Sequence, residues 1–212
     1  MSDHEKMIVR AGYDAIAERY LAWSESVGND PRARFFGELA GRLPDGARVL
    51  DLGCGAGIPS TRLLAERFEV VGVDISEVQL QLARKNVPEA TFVHGDFSEL
   101  AFPDESFDGI TAFYSISHVP RDEHARLFAR VAGWLKPGGL FLATLGANGS
   151  PDWTGEWLGF PMFFSSHDAK ENRRLLRDAG LSLVLDEVVA VREPEGEVTF
   201  LWVLTQKPAA PY

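Results

Sequence analysis

Val49-Leu-Asp-Leu-Gly-Cys-Gly-Ala-Gly57 decides the fold, because an apolar run of strand length stops in a loop of three glycines from which a helix departs. The apolar half reads as a buried strand over residues 48–52, and the glycines let the backbone turn tightly and approach a ligand closely. A second apolar run, Glu69-Val-Val-Gly-Val-Asp74, ends in a carboxylate 21 positions after Gly53, suited to the hydroxyls of a ribose. Together these features point to a ligand that contains adenosine.

Working outward, the spacing predicts helices over residues 59–67 and 76–86, the latter capped by Ser76, and over 122–135, ended by the turn Lys136-Pro-Gly-Gly139. Between them lie strands at 69–73, 91–94, 107–114 and 140–145. Strict alternation of strand and helix implies right-handed crossovers and a parallel, doubly wound sheet with ligands at the carboxyl ends of its strands. Residues 53–57, 74, 96 and 113–118 then share one rim. Two helices, over 5–23 and 31–43, precede the sheet. After residue 145 the pattern breaks: 146–166 is rich in aromatics, glycine and proline, is neither periodic strand nor clean helix, and reads as a lid or pocket wall. A helix over 168–178 and two strands, 181–192 and 198–205, close the chain as an antiparallel hairpin. Disorder is expected only at the two ends, including 207–212.

The 212 residues, 45% hydrophobic, suffice for one α/β domain with a real core. With 21 Lys and Arg against 31 Asp and Glu, the net charge of −10 gives no footprint for nucleic acid. Cys54 is the only cysteine, so neither a disulfide within the chain nor a cysteine metal cluster forms, and Asp and Asn ligands for a divalent cation do not cluster. No signal peptide and no membrane-length apolar run is visible, and a cytoplasmic protein is expected.

The loop does not match the dinucleotide fingerprint, whose third glycine falls one residue later than Gly57. Asp51, two residues before Gly53, would repel a pyrophosphate and attract an ammonium group. S-adenosylmethionine carries an amino group and a sulfonium and no phosphate, so charge favours it over a dinucleotide.

Over residues 46–145 the sequence resembles the class I S-adenosylmethionine-dependent methyltransferases. Residues 49–57 are similar to their first motif, Val73-Asp74 to the ribose-holding strand end, His94-Gly-Asp-Phe97 to the adenine segment, Phe113-Tyr-Ser115 to the strand end beside the methyl group, and Leu135-Lys-Pro-Gly-Gly139 to the turn before strand five. The resemblance implies a Rossmann-like seven-stranded sheet, mostly parallel, with one antiparallel strand from the C-terminal hairpin. It implies that S-adenosyl-L-methionine is held by Asp51, Gly53, Cys54 and Gly55 of the loop, by Asp74 with Ile75 and Gln79, by Asp96 and Phe97, and by Phe113 and Tyr114. Family members with a Tyr pair spaced like Tyr13 and Tyr20 close that helix over the methionine end, where phenols meet a carboxylate and aromatic faces a sulfonium.

The acceptor is not carried over from the resemblance. Trp153, Trp157, Phe160, Met162 and Phe164 are candidates for an apolar acceptor pocket, with core or a dimer contact as the other reading. His118, just past strand four, and His167 are candidates for a general base, although in-line methyl transfer can proceed on positioning alone. The expected function is metal-independent methyl transfer to oxygen or nitrogen of a small molecule, with no nucleic-acid or membrane partner and a homodimer left open. A non-catalytic S-adenosylmethionine-binding module or partner subunit, and a nicotinamide-dependent oxidoreductase, are the alternatives. One methyltransferase domain spans 1–212: a helical cap (5–43), a cofactor-binding core (46–145), an aromatic insertion (146–167), and a helix with hairpin (168–205).

Overall fold

A computed structural model describes residues 2–209. Seven strands form one sheet in the order β3 (Thr91–His94), β2 (Glu69–Asp74), β1 (Arg48–Leu52), β4 (Phe107–Ala112), β5 (Leu135–Gly146), β9 (Gly196–Gln206) and β8 (Ser182–Glu193). The pairs β1–β2, β1–β4, β2–β3 and β4–β5 are parallel. Strand β9 runs antiparallel between β5 and β8, so the hairpin supplies the one reversed strand, as expected.

Burial on both sheet faces explains the apolar runs. Along β5, Phe141, Ala143 and Leu145 enter one core with Leu127, Phe128, Val131 and Trp134 of α5 (His124–Trp134) and with Leu175 and Leu176 of α6 (Ala169–Asp178). The alternate residues, Leu140 and Leu142, enter a second core with Phe35 and Leu39 of α2 (Arg32–Ala40) and Leu64 of α3 (Ser60–Ala65). Phe35 stacks on Trp202 of β9 at 4.8 Å between ring centres. Ser76 caps α4 (Glu77–Asn86) by accepting the Gln79 N–H, and Asp168 caps α6 by accepting the Glu171 N–H.

The segment after β5 departs from expectation. It is an antiparallel hairpin, β6 (Asn148–Trp157) and β7 (Phe160–Asp168), with a register shift between Ser150 and Trp153, forming a separate two-stranded sheet. Leu158 and Gly159 both have positive φ, 50° and 79°, the backbone of a tight hairpin turn that keeps the twist of its strands. The hairpin is covered by α1 (Ser2–Glu25): Met162 and Phe163 are buried against Val9 and Ile16. A side chain at Gly12 would meet Met162 Cε at 2.7 Å and the Pro161 carbonyl at 2.9 Å, so glycine sets the closeness of that packing. The expected frayed ends are also corrected within the described residues: α1 starts at Ser2, and the Lys207 N–H donates to the Gly139 carbonyl at 2.9 Å. The expectation for 210–212 lies outside the described residues.

Candidate active site

The glycine loop folds back onto the end of β2. The N–H groups of Gly53 and Cys54 donate to the Val73 carbonyl at 2.8 and 3.0 Å, which sets loop and acidic strand end side by side. Gly53 takes φ 73°, and a side chain there would strike Ser115 Cβ at 2.3 Å, so only glycine fits. Asp74 is fixed by two backbone donors, Gly55 N–H to Oδ2 at 2.8 Å and Ser76 N–H to Oδ1 at 2.9 Å. Burial pushes its carboxyl up to about 6, against the pull of those two bonds. Each carboxylate oxygen keeps lone-pair capacity for a further donor.

A cavity of about 80 Å³ lies over this loop and is lined by Gly53, Cys54, Gly55, Asp74, Ile75, Phe97, Phe113 and Tyr114, with Tyr13 and Tyr20 of α1 beside them. A second cavity of about 320 Å³ adjoins it. The two share Tyr13, Tyr20, Ser24, Arg32, Tyr114 and His118, which mark the junction. Trp157 and Phe164 of the hairpin line the second cavity, together with Trp23, Thr144, Glu193 and Phe200.

His118 sits at the junction in a defined tautomer. Its Nδ1 is 2.8 Å from the Phe163 carbonyl, which can only accept, so Nδ1 carries the proton. Nε2 therefore accepts from the Tyr13 hydroxyl, also at 2.8 Å. Burial lowers the imidazole to about 4, so it is neutral at pH 7. Tyr13 is held well above the usual phenol range, first by burial and then by the nearby Tyr20 and Asp74.

Several expected site residues lie elsewhere. Asp51 lines neither cavity; it sits beneath the loop, and its oxygens accept the hydroxyls of Thr61 and Thr111, each at 2.8 Å. Asp96 also lines neither, since Oδ2 pairs with Lys6 at 3.1 Å and Oδ1 accepts the Ser98 N–H. Gln79 is buried behind the loop, and neither amide atom has a partner among the described residues. His167 is outside both cavities, with Nε2 donating to the Arg121 carbonyl at 2.9 Å. Of the five aromatic and Met candidates, Trp157 and Phe164 reach a cavity, Trp153 and Phe160 are exposed, and Met162 is core under α1. The Cys54 thiol stays protonated, because burial raises it well above its usual range and Asp74 and Asp51 add to this.

Arg32 escaped the sequence reading. Its Nη2 lies 3.0 Å from Asp30, its Nη1 donates to Ser60 at 2.9 Å, and its guanidinium carbon stands 5.2 Å from the Tyr114 ring centre. Its Nε is buried without a partner among the described residues, a donor available to a ligand anion. Nothing in the local sequence singles out Arg32; packing of α2 against the strand ends brings it to the junction.

The strand–glycine loop–helix unit, the acidic end of the next strand and the seven-stranded sheet with one reversed strand together form the Rossmann-like fold that the resemblance to the class I S-adenosylmethionine-dependent methyltransferases implies. Residues 49–139 match the family model described as a methyltransferase domain. It is 44% identical over 116 residues to trans-aconitate 2-methyltransferase of Variovorax paradoxus, covering 52% of this chain and 44% of that one. It is 36% identical to 27-O-demethylrifamycin SV methyltransferase of Amycolatopsis mediterranei, covering 60% and 54%. The chain thus spans about half the length of these relatives. Its fold resembles that of the Burkholderia thailandensis 1,6-didemethyltoxoflavin-N1-methyltransferase, solved with that acceptor and S-adenosylhomocysteine, with a TM-score of 0.74, 21% identity, and coverage of 98% and 91%.

Proposed function

We propose that the protein transfers a methyl group from S-adenosylmethionine to an oxygen or nitrogen atom of a small organic molecule. The observation that carries this reading is the pairing of a glycine loop and buried Asp74 with a second, aromatic cavity, across six shared residues. The donor set suits the cofactor. Asp74 would accept ribose hydroxyls, Ile75 and Phe97 would hold the base, and Arg32 and Tyr20, which line the same cavity, would serve the methionine carboxylate. When bound, the cofactor supplies an electrophilic methyl group on a sulfonium, and no phosphate site is needed.

The chain's own contribution is largely placement. Holding the acceptor atom against the methyl group in line supplies much of the rate. A proton released there is met first by the Tyr13 hydroxyl, whose own proton is aimed at Nε2 of His118. Aromatic faces at the junction suit the cationic sulfonium before transfer. The similar enzymes act, by their names, on an organic acid and on an antibiotic precursor, which supports a small-molecule acceptor. The single buried thiol supports a cytoplasmic setting.

Calorimetric titration with S-adenosylmethionine tests the core of this reading. The wild type is expected to bind at pH 7.5 and to weaken as pH falls through about 6, where Asp74 takes up its proton. Asp74→Asn is expected to bind at least about tenfold more weakly, the loss of hydrogen bonds to a charged group. A wild type that does not bind, or a variant that binds equally well, sinks it. Release of S-adenosylhomocysteine across a library of acceptors then identifies the substrate.

A further inference from the structure

The second cavity carries charge and aromatic surface that its place beside the glycine loop does not explain. Trp23 and Trp157 stand edge to face at 5.3 Å, Trp157 and Phe164 at 5.5 Å, and Tyr20 lies 5.8 Å from Trp157. Tyr114 and Phe200, 5.0 Å apart, line the same space. Such a set of ring faces attracts a cation desolvated among them.

The anionic groups of the cavity differ in how they are satisfied. Asp30 is matched by Arg32 at 3.0 Å and accepts the Tyr114 hydroxyl at 3.2 Å. Glu195, outside the lining, accepts the Trp23 indole N–H at 3.1 Å. Glu193 lines the cavity half-buried, and no cation or side-chain donor stands against it among the described residues. Burial, and then Glu195, push its carboxyl upward, the mark of an anion short of a counter-charge. A half-buried carboxylate without a partner costs free energy that a cationic ligand recovers.

We infer that the acceptor molecule carries a protonated amine or a cationic N-heterocycle, seated among these rings and paired with Glu193. Glu193 lines only the second cavity, whereas Tyr13, Tyr20 and His118 line both. The charged end is thus seated in the second cavity, and a different atom of the same molecule is presented to the methyl group. The assignment rests on the methyltransferase reading for the meaning of the junction, but the recognition itself does not require turnover. An anionic acceptor would turn to Arg32 instead, and the experiment separates the two.

Calorimetry on the whole protein, saturated with S-adenosylhomocysteine, compares 2-phenylethylamine with its neutral and anionic counterparts, 2-phenylethanol and 3-phenylpropanoate. The amine is expected to bind at least tenfold tighter than the alcohol, and the carboxylate more weakly than either. Glu193→Gln is expected to bring the amine down to the affinity of the alcohol while leaving the alcohol and S-adenosylhomocysteine unchanged. Unaltered S-adenosylhomocysteine binding shows that the variant is folded. A carboxylate that binds as well as the amine, an amine that does not bind, or an amine indifferent to Glu193→Gln overturns the inference. Failure of S-adenosylhomocysteine to bind wild type overturns the methyltransferase reading instead, and the amine preference is then scored without it.

Discussion

Tyr13 and His118 act as one unit because each occupies the other's only free polar position at the junction. The phenol donates to Nε2 at 2.8 Å, while the other ring nitrogen is committed to the Phe163 carbonyl. If the pair relays a proton from the acceptor, Tyr13→Phe and His118→Asn should each lower kcat by up to about a hundredfold. The double variant should then be no worse than the weaker single one. Multiplying losses in the double-mutant cycle would mean independent roles. At this scale the sequence was partly legible. Asp74 and the glycines announced themselves by spacing, and His118 by its position past β4. Asp51 was singled out by spacing too, but its bond to the hydroxyl of Thr111, its register partner on β4, becomes legible only once the strand order is known. The pairing of Asp96 with Lys6, ninety residues away in sequence, was hidden for the same reason.

Helix α1 is a roof fastened near its start and at its middle. Near its start, Lys6 lies 2.9 Å from Glu123, 3.1 Å from Asp96 and 3.2 Å from Glu99. Burial alone would lower its pKa, but the bonds to Glu123, Asp96 and Glu99 raise it, so the ammonium persists. Further along, Asp14 accepts the Ser76 hydroxyl at 2.6 Å, tying the roof to the cap of α4. The helix covers the cavity over the glycine loop, so opening of this roof is expected to accompany cofactor entry. Lys6→Met should cost on the order of 2 kcal/mol of stability and speed amide exchange within α1. In wild type, that exchange should slow when S-adenosylmethionine binds; unchanged exchange in both experiments would show that α1 is a static wall. Strands β1 and β3 were read from the sequence to the residue, β1 from its buried apolar run. The β6–β7 hairpin was not, since glycine and proline interrupt its alternation and its aromatic pairing, Trp153 with Phe164 and Trp157 with Phe160, exists only once the register is known. The usable signal was Leu158-Gly159, a two-residue turn between aromatic residues.

Across the whole molecule, buried neutral histidines dominate the response to mild acid. His118 and His124 are both lowered to about 4 by burial, whereas in the unfolded chain they titrate near the ordinary value of 6.5. The unfolded state therefore binds more protons between those values, and stability falls as pH drops from 6.5 toward 4. Asp74, raised to about 6, works in the opposite sense, because its protonation favours the folded form as pH falls through that value. Asp51 and Glu193, also raised by burial, act with Asp74, so the fall in stability toward pH 5 should be gentler than the roughly 2.7 kcal/mol per pH unit that two histidines alone would give. Urea melts at pH 7 and pH 5 check this; equal midpoints would mean that the imidazoles take up protons without unfolding.

The topology as a whole was legible because parallel strands buried on both faces impose continuous apolar runs, while the roof and the second cavity arise from contacts between distant segments. The bond from His118 to Phe163 ties two of these together. The hairpin that shapes the room for the acceptor also decides, through one main-chain carbonyl, which nitrogen of the imidazole holds the proton. The side chain of Phe164, which lines the second cavity, is therefore free to vary with the substrate, but the β7 backbone is not. Transplanting a hairpin of different register would alter acid–base behaviour together with specificity, whereas redesign confined to side chains would change only what the cavity admits.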